Sequence, residues 1–130
     1  VDPYTFGAVP AILTGNPPEM GSRVLSAACL RDYFRLFTFG TEARERADLV
    51  RLSLLKARRE VHFKGDGRAV AVVGDSIHDV TCAKPLGALA VAVATGVHSQ
   101  EELRAAGADY VFQSCEPYQE ICDVLTGEPE

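Results

Sequence analysis

The chain has 130 residues, with 13 Lys and Arg against 18 Asp and Glu for a formal net charge of −5, and it is 47% hydrophobic and 24% charged. That length makes one domain, or part of one, the expectation, and the composition is globular rather than disordered, collagenous or coiled-coil. The acidic balance argues against a nucleic-acid partner, and no apolar run approaches the ~18 residues of a membrane span, so no membrane partner is expected either.

The opening residues, Val1-Asp2-Pro3-Tyr4, have neither the basic nor the apolar character of a secretory signal. The four cysteines, Cys29, Cys82, Cys115 and Cys122, show no C-x-x-C spacing. Reduced, mostly buried thiols in a cytoplasmic protein are therefore expected.

Short apolar runs alternate with stretches of helical spacing, the pattern of repeated βα units over a parallel sheet. The fold class is α/β. The run 9–13 ends at Thr14-Gly15-Asn16, where Asn16 precedes Pro17 and Pro18 and has Glu19 as capping partner for a helix reaching about residue 30. The run 34–39 ends at Gly40, and the charged stretch 42–46 leads into a helix carrying Leu49, Leu52 and Leu55 to about residue 59. Residues 64–68 form a glycine-rich turn. The run 69–73 is continuously apolar, as a strand buried on both faces requires, and ends in Gly74-Asp75-Ser76.

A short helix from about residue 77 breaks near Lys84-Pro85, and the run 89–94 ends in Thr95-Gly96. Ser99 and Glu102 make a capping box for a helix that Gly107 closes. Residues 110–112 are a last short strand, and Pro117 begins a terminal helix to about residue 125. The expected organisation is an irregular segment 1–8, one core 9–126 of five strands and five helices, and a tail 127–130.

Ligands of open parallel sheets bind beyond the carboxyl ends of the strands, so the residues after each run are the candidates. Asp75 follows a buried strand, and Asp79 returns four residues later near the start of the next helix. Two carboxylates on one edge suit a hard cation such as Mg²⁺, which takes one or two carboxylates and keeps several waters. The structural alternative is that Asp75 caps the helix and Asp79 complements its dipole. Thr14, Gly15 and Asn16 offer a hydroxyl, an accessible backbone and a helix N-terminus to a phosphate, or merely turn chemistry. His78 lies between the two carboxylates or is a solvated turn residue, while His62 and His98 have no neighbour in sequence that suggests a metal. Gly65-Asp66-Gly67 precedes a strand rather than following one, which rules out a dinucleotide fingerprint.

The stretch 72–80, Val-Val-Gly-Asp-Ser-Ile-His-Asp-Val, followed by Ala94-Thr95-Gly96 and by Glu101-Glu102-Leu103, resembles the C-terminal half of a haloacid dehalogenase superfamily hydrolase of the phosphoglycolate-phosphatase-like branch. Upstream, 13–16 resembles the family's second motif, a strand ending in Thr or Ser, so that the resemblance runs from about residue 9 to 112. It implies a three-layer Rossmann-like parallel sheet and Mg²⁺-dependent hydrolysis of a small phosphorylated metabolite through an aspartyl-phosphate. By the same resemblance Asp75 would bind the metal, Asp79 would support it directly or through water, and Thr14 would hydrogen-bond the phosphoryl group. Arg46 stands roughly where the family places a Lys that neutralises the phosphate, with Arg44 nearly as good a candidate.

The family's nucleophile and its acid/base partner form an Asp-x-Asp motif, and no Asp-x-Asp occurs in this sequence. Asp2-Pro3-Tyr4 is a poor substitute, since it follows no strand and has Tyr where the second Asp belongs. The cap that selects substrate in this branch has no counterpart either. Two expectations follow: a part of a Mg²⁺-dependent phosphomonoesterase, or a module that binds cation or phosphate without turnover. Val1 in place of Met fits a fragment, a processed chain or an alternative start. Without the family's central first strand, the runs 9–14 and 69–74 are expected to pair directly, unless residues 1–8 or a partner segment fills the slot. Open strand edges would favour self-association. A response-regulator receiver shares the plan, but its acidic pair and its Lys are replaced by Thr14-Gly15-Asn16 and Ser114-Cys115.

Overall fold

The computed structural model describes residues 11–14, 19, 20, 23, 34 and 36–126. The chain divides into two compact units, with the division between Lys64 and Gly65. The expected Asn16 cap and most of the helix over 17–30 lie outside the described residues, although Glu19, Met20 and Arg23 are helical. The segment 1–8 and the tail 127–130 also lie outside them.

In the first unit, β1 (Ala11–Thr14) pairs in parallel with β2 (Leu36–Phe39), with Thr14 opposite Phe39. A single 3-10 turn, Gly40–Glu42, leads to α1 (Arg46–Glu60), which packs on both strands. Alternation in β2 buries Leu36 and Thr38 on one side and stacks Phe37 and Phe39 on the other, their ring centroids 6.5 Å apart and the ring planes nearly parallel. The Thr38 hydroxyl is fully buried, and Ser53 of α1 satisfies it by donating at 2.8 Å. Leu49, Val50 and Ala57 form the buried face of α1.

Phe37 and Phe39 are two residues apart, so their backbone polar groups face the same edge of β2. Side chains occupy that edge. Lys56 Nζ donates to the Phe37 carbonyl at 2.7 Å and to Glu42 Oε1 at 2.7 Å, while the Phe39 N–H donates to Glu42 Oε2 at 2.6 Å. The ion pair thus stands where a further strand would pair, a way of blunting an edge against association. The Lys56 ammonium, and then the Phe39 N–H, hold the Glu42 carboxyl below the usual carboxylate range.

In the second unit, β3 (Ala71–Gly74), β4 (Leu89–Val93) and β5 (Tyr110–Phe112) form a parallel sheet in the order β3-β4-β5. The connections are α2 (Ile77–Ala83) with a 3-10 turn at Lys84–Leu86, and α3 (Gln100–Ala105); α4 (Tyr118–Thr126) follows β5. The break after Ala83 falls where Pro85 cannot donate a helical hydrogen bond. The core is made of small and branched residues, Val80, Ala83, Ala88, Ala90, Ala92 and Leu103, which lets α2 pack closely on β3 and β4 and brings Leu103 of α3 into the same cluster. Asp109 ties the start of β5 to β4: its carboxylate accepts from the Ala90 N–H at 2.8 Å and its own N–H donates to the Ala90 carbonyl at 2.9 Å. Cys82 is buried, as expected, and its thiol donates to the Asp79 carbonyl at 3.1 Å, whereas Cys115 is exposed.

The α/β class and the parallel pairing agree with the sequence expectation. One detail does not. Among the described residues the strands form two ladders, β1-β2 and β3-β4-β5, and the direct pairing of the 9–14 run with the 69–74 run is not formed. Each ladder joins strands that are consecutive in the chain, whereas a β1-β3 pair would join opposite halves at a greater loop-closure cost. Among the described residues no helix is long and apolar enough to cross a membrane.

Candidate functional site

The sharpest chemistry lies at the carboxyl end of β3. The run of Ala71, Val72 and Val73 is suited to a strand, Gly74 ends it, and Ser76 adopts extended backbone (φ −127°, ψ 160°) as N-cap of α2. Ser76 Oγ accepts from the Asp79 N–H at 3.4 Å and donates to Asp79 Oδ2 at 3.1 Å, and the Ser76 N–H donates to the same oxygen at 3.2 Å. This is a reciprocal capping box. The cap of α2 is therefore Ser76 and not Asp75, which removes the structural alternative for Asp75 and gives Asp79 a fixed orientation.

Two glycines make room for the two carboxylates. A Cβ added at Gly74 would lie 2.2 Å from Asp79 Oδ2 and 2.5 Å from Asp79 Cβ, and one added at Gly96 would lie 2.7 Å from Asp75 Oδ2. Asp75 is exposed and its carboxylate rests against the backbone of the loop that follows β4; Asp79 is half-buried. The same loop touches the 75–79 turn a second time. His98 Nδ1 accepts from the Ile77 N–H at 3.4 Å, and the His98 ring meets that of His78 edge-on, with centroids 6.4 Å apart at 76°. Ser99, next in the chain, caps α3 by accepting from the Glu102 N–H at 3.1 Å, and its own N–H donates to Glu102 at 3.0 Å, which lowers the Glu102 carboxyl below its ordinary range.

Neither Gly96 nor His98 as a neighbour of this turn was legible locally, because each contact crosses from the β3 end to the β4 end. The Ser76 cap was legible, since Ser-x-x-Asp is a capping signature. Among the described residues no group of three or more His, Cys, Asp and Glu is arranged to hold a metal. Two hard carboxylate oxygens beside a solvent-accessible turn, with no Cβ at Gly74 or Gly96 to crowd them, nevertheless fit a cation that retains most of its water, such as Mg²⁺.

The remaining candidates belong to the first unit. Thr14 is the last residue of β1 and is half-buried, Arg46 is the first residue of α1 and also half-buried, and Arg44 is exposed in the bend before it. Gly15 and Asn16 lie outside the described residues. Lys56, which sequence reasoning did not single out, is drawn inward in this unit, where Phe37 and Glu42 hold its ammonium.

The sequence profile of the HAD-hydrolase-like family matches residues 46–117, more than half of the chain. The chain belongs to this family. Its fold is shared with a predicted phosphatase from Clostridium acetobutylicum, at a TM-score of 0.75 and 22% identity over 95% of this chain and 55% of that one. It is similar in the same way to a predicted phosphoglycolate phosphatase from Haemophilus somnus (TM-score 0.72, 17% identity, 91% of this chain and 51% of that one). A haloacid dehalogenase-like hydrolase from Streptococcus pneumoniae gives a TM-score of 0.71 at 17% identity, over 93% of this chain and 55% of that one. The HAD-like chain thus spans about half the length of these solved structures. No curated protein matches it.

Proposed function

We propose that this HAD-like chain supplies the cation site and a phosphoryl-oxygen site of a Mg²⁺-dependent phosphate-monoester hydrolase acting on a small phosphorylated metabolite. The observation that carries the reading is the seating of Asp75 against Gly96 and of Asp79 against Gly74 at the end of β3. Asp75 and Asp79 would hold the ion, which when bound neutralises charge on a phosphoryl oxygen. Thr14, with Gly15 and Asn16, would donate hydrogen bonds to the phosphoryl group, and Arg46 or Arg44 would balance its remaining charge. The orientation of the Asp79 carboxylate rests on Ser76, which holds one of its oxygens through two donors.

Absence of an Asp-x-Asp favours a second reading for the 130-residue chain by itself: binding without turnover. Covalent phosphoryl transfer needs an attacking group in line with phosphorus, and charge neutralisation cannot replace it. Self-association through open strand edges stays part of the proposal, with the outer edge of β2 blunted by Lys56 and Glu42.

The test is Mn²⁺ binding, followed by loss of the free-ion electron paramagnetic resonance signal. Saturable binding that Asp75→Asn weakens by about tenfold or more supports the cation site. No saturable binding, or binding indifferent to Asp75→Asn, rejects it. Release of p-nitrophenol from p-nitrophenyl phosphate by the purified chain with Mg²⁺, abolished in Asp75→Asn, would overturn the binding-only reading.

A further inference from the structure

His98 has no neighbour in sequence that gives it a task, yet in the fold it meets two of the three residues that separate Asp75 from Asp79. Its Nδ1 takes the Ile77 N–H, and its ring abuts that of His78. The Ile77 N–H belongs to the first residue of α2, one of the donors that a helix leaves without an internal partner. Ser76 Oγ serves the Asp79 N–H, so the cap and His98 divide the start of α2 between them.

The His98 backbone is itself pinned. Ser99 follows it as the N-cap of α3, with a reciprocal bond to Glu102, and Leu103 of α3 is fully buried in the core. Two residues before His98, Gly96 receives the Asp75 carboxylate. A rigid cap on α3 is thereby linked through one imidazole to the turn that carries both carboxylates, while the same loop supplies the floor under Asp75.

We propose that His98 is a positioning residue for the cation site, acting through Ile77 and His78 rather than as a ligand. The inference rests on the cation reading of Asp75 and Asp79 given above. Groups one step removed from ligands typically alter metal affinity by about 10–100-fold when their hydrogen bond to a ligand is lost. Because His98 acts on the turn and not on a carboxylate itself, a loss of about 3–10-fold is expected.

The experiment compares the 130-residue chain with His98→Leu and His98→Asn. Asn places an acceptor oxygen at the same bond distance from Cβ as Nδ1, whereas Leu fills space without accepting. Mn²⁺ affinity is read by electron paramagnetic resonance, amide hydrogen exchange at Ile77 reports the bond itself, and thermal unfolding reports stability. Expected are faster exchange at Ile77 and about 3–10-fold weaker Mn²⁺ binding in His98→Leu, both restored to within about twofold in His98→Asn. Equal weakening in both variants would make His98 a direct ligand and overturn the proposal. Unchanged affinity in His98→Leu, with or without a change in melting temperature, would leave only a structural role and also overturn it. Failure of the cation reading is separate: the unsubstituted chain would then bind no Mn²⁺, and the positioning role would fall with it.

Discussion

Gly96 and Asp75 are in contact across the ends of β4 and β3: a methyl group at Gly96 would come within 2.7 Å of Asp75 Oδ2 and 3.2 Å of the Asp75 carbonyl oxygen. The carboxylate terminus can rotate away, but then it leaves its place beside the α2 turn. Gly96→Ala is therefore expected to weaken Mn²⁺ binding by about tenfold while leaving the melting temperature nearly unchanged. Electron paramagnetic resonance titration and a thermal melt check the pair of outcomes, and an unaltered affinity would show that Asp75 does not act from this position.

Gly74 and Asp79 behave differently. A Cβ at Gly74 would overlap Asp79 at Oδ2, Cγ and Cβ, so rotation of the carboxylate does not relieve the clash and α2 itself must retreat. Overpacking of this kind costs about 1–3 kcal/mol. Gly74→Ala should lower stability by that amount in urea unfolding, with the loss of affinity accompanying it rather than standing alone.

Lys56 and Glu42 give a pH signature that is independent of any ligand. Glu42 has its carboxyl lowered from 4.5 by Lys56 and by the Phe39 N–H, so its folded form binds a proton less readily than its unfolded form. Its contribution to stability is then fully present above about pH 4.5 and is lost as the pH falls through the lower folded value. Lys56→Met should destabilise the chain by about 1–2 kcal/mol at neutral pH, since the Phe37 carbonyl loses a donor and Glu42 its partner. The difference from the parent chain should shrink as the pH falls below about 4.5 and Glu42 is protonated in both. Urea unfolding at a series of pH values measures it; a difference independent of pH would mean that the Lys56–Glu42 pair contributes nothing.

Much of the fold was legible because its signals are local. The Tyr110–Phe112 strand, the start of α2 at Ile77, the break at Pro85 and the Ser99 capping box each follow from spacing or from the chemistry of a few adjacent residues. β3 begins at Ala71, two residues after the start of its apolar run at residue 69, because Ala69 ends a 3-10 turn and strand ends are set by which residues find a partner and not by hydropathy. Asp75 and Asp79 stood out for the same local reason, being placed four residues apart around the end of an apolar run.

What the sequence alone determined is the α/β plan, the order of its elements and the pair of carboxylates after β3, because strand and helix periodicity and cap chemistry act over a few residues. Tertiary structure decided which strands pair, that Gly96 and His98 lean on the carboxylate turn, and that Lys56 and Glu42 close the edge of β2. Most of these are contacts between residues far apart in the chain. Such contacts are selected by close packing and by the need to satisfy backbone donors and acceptors, and neither leaves a mark in the spacing of neighbouring residues.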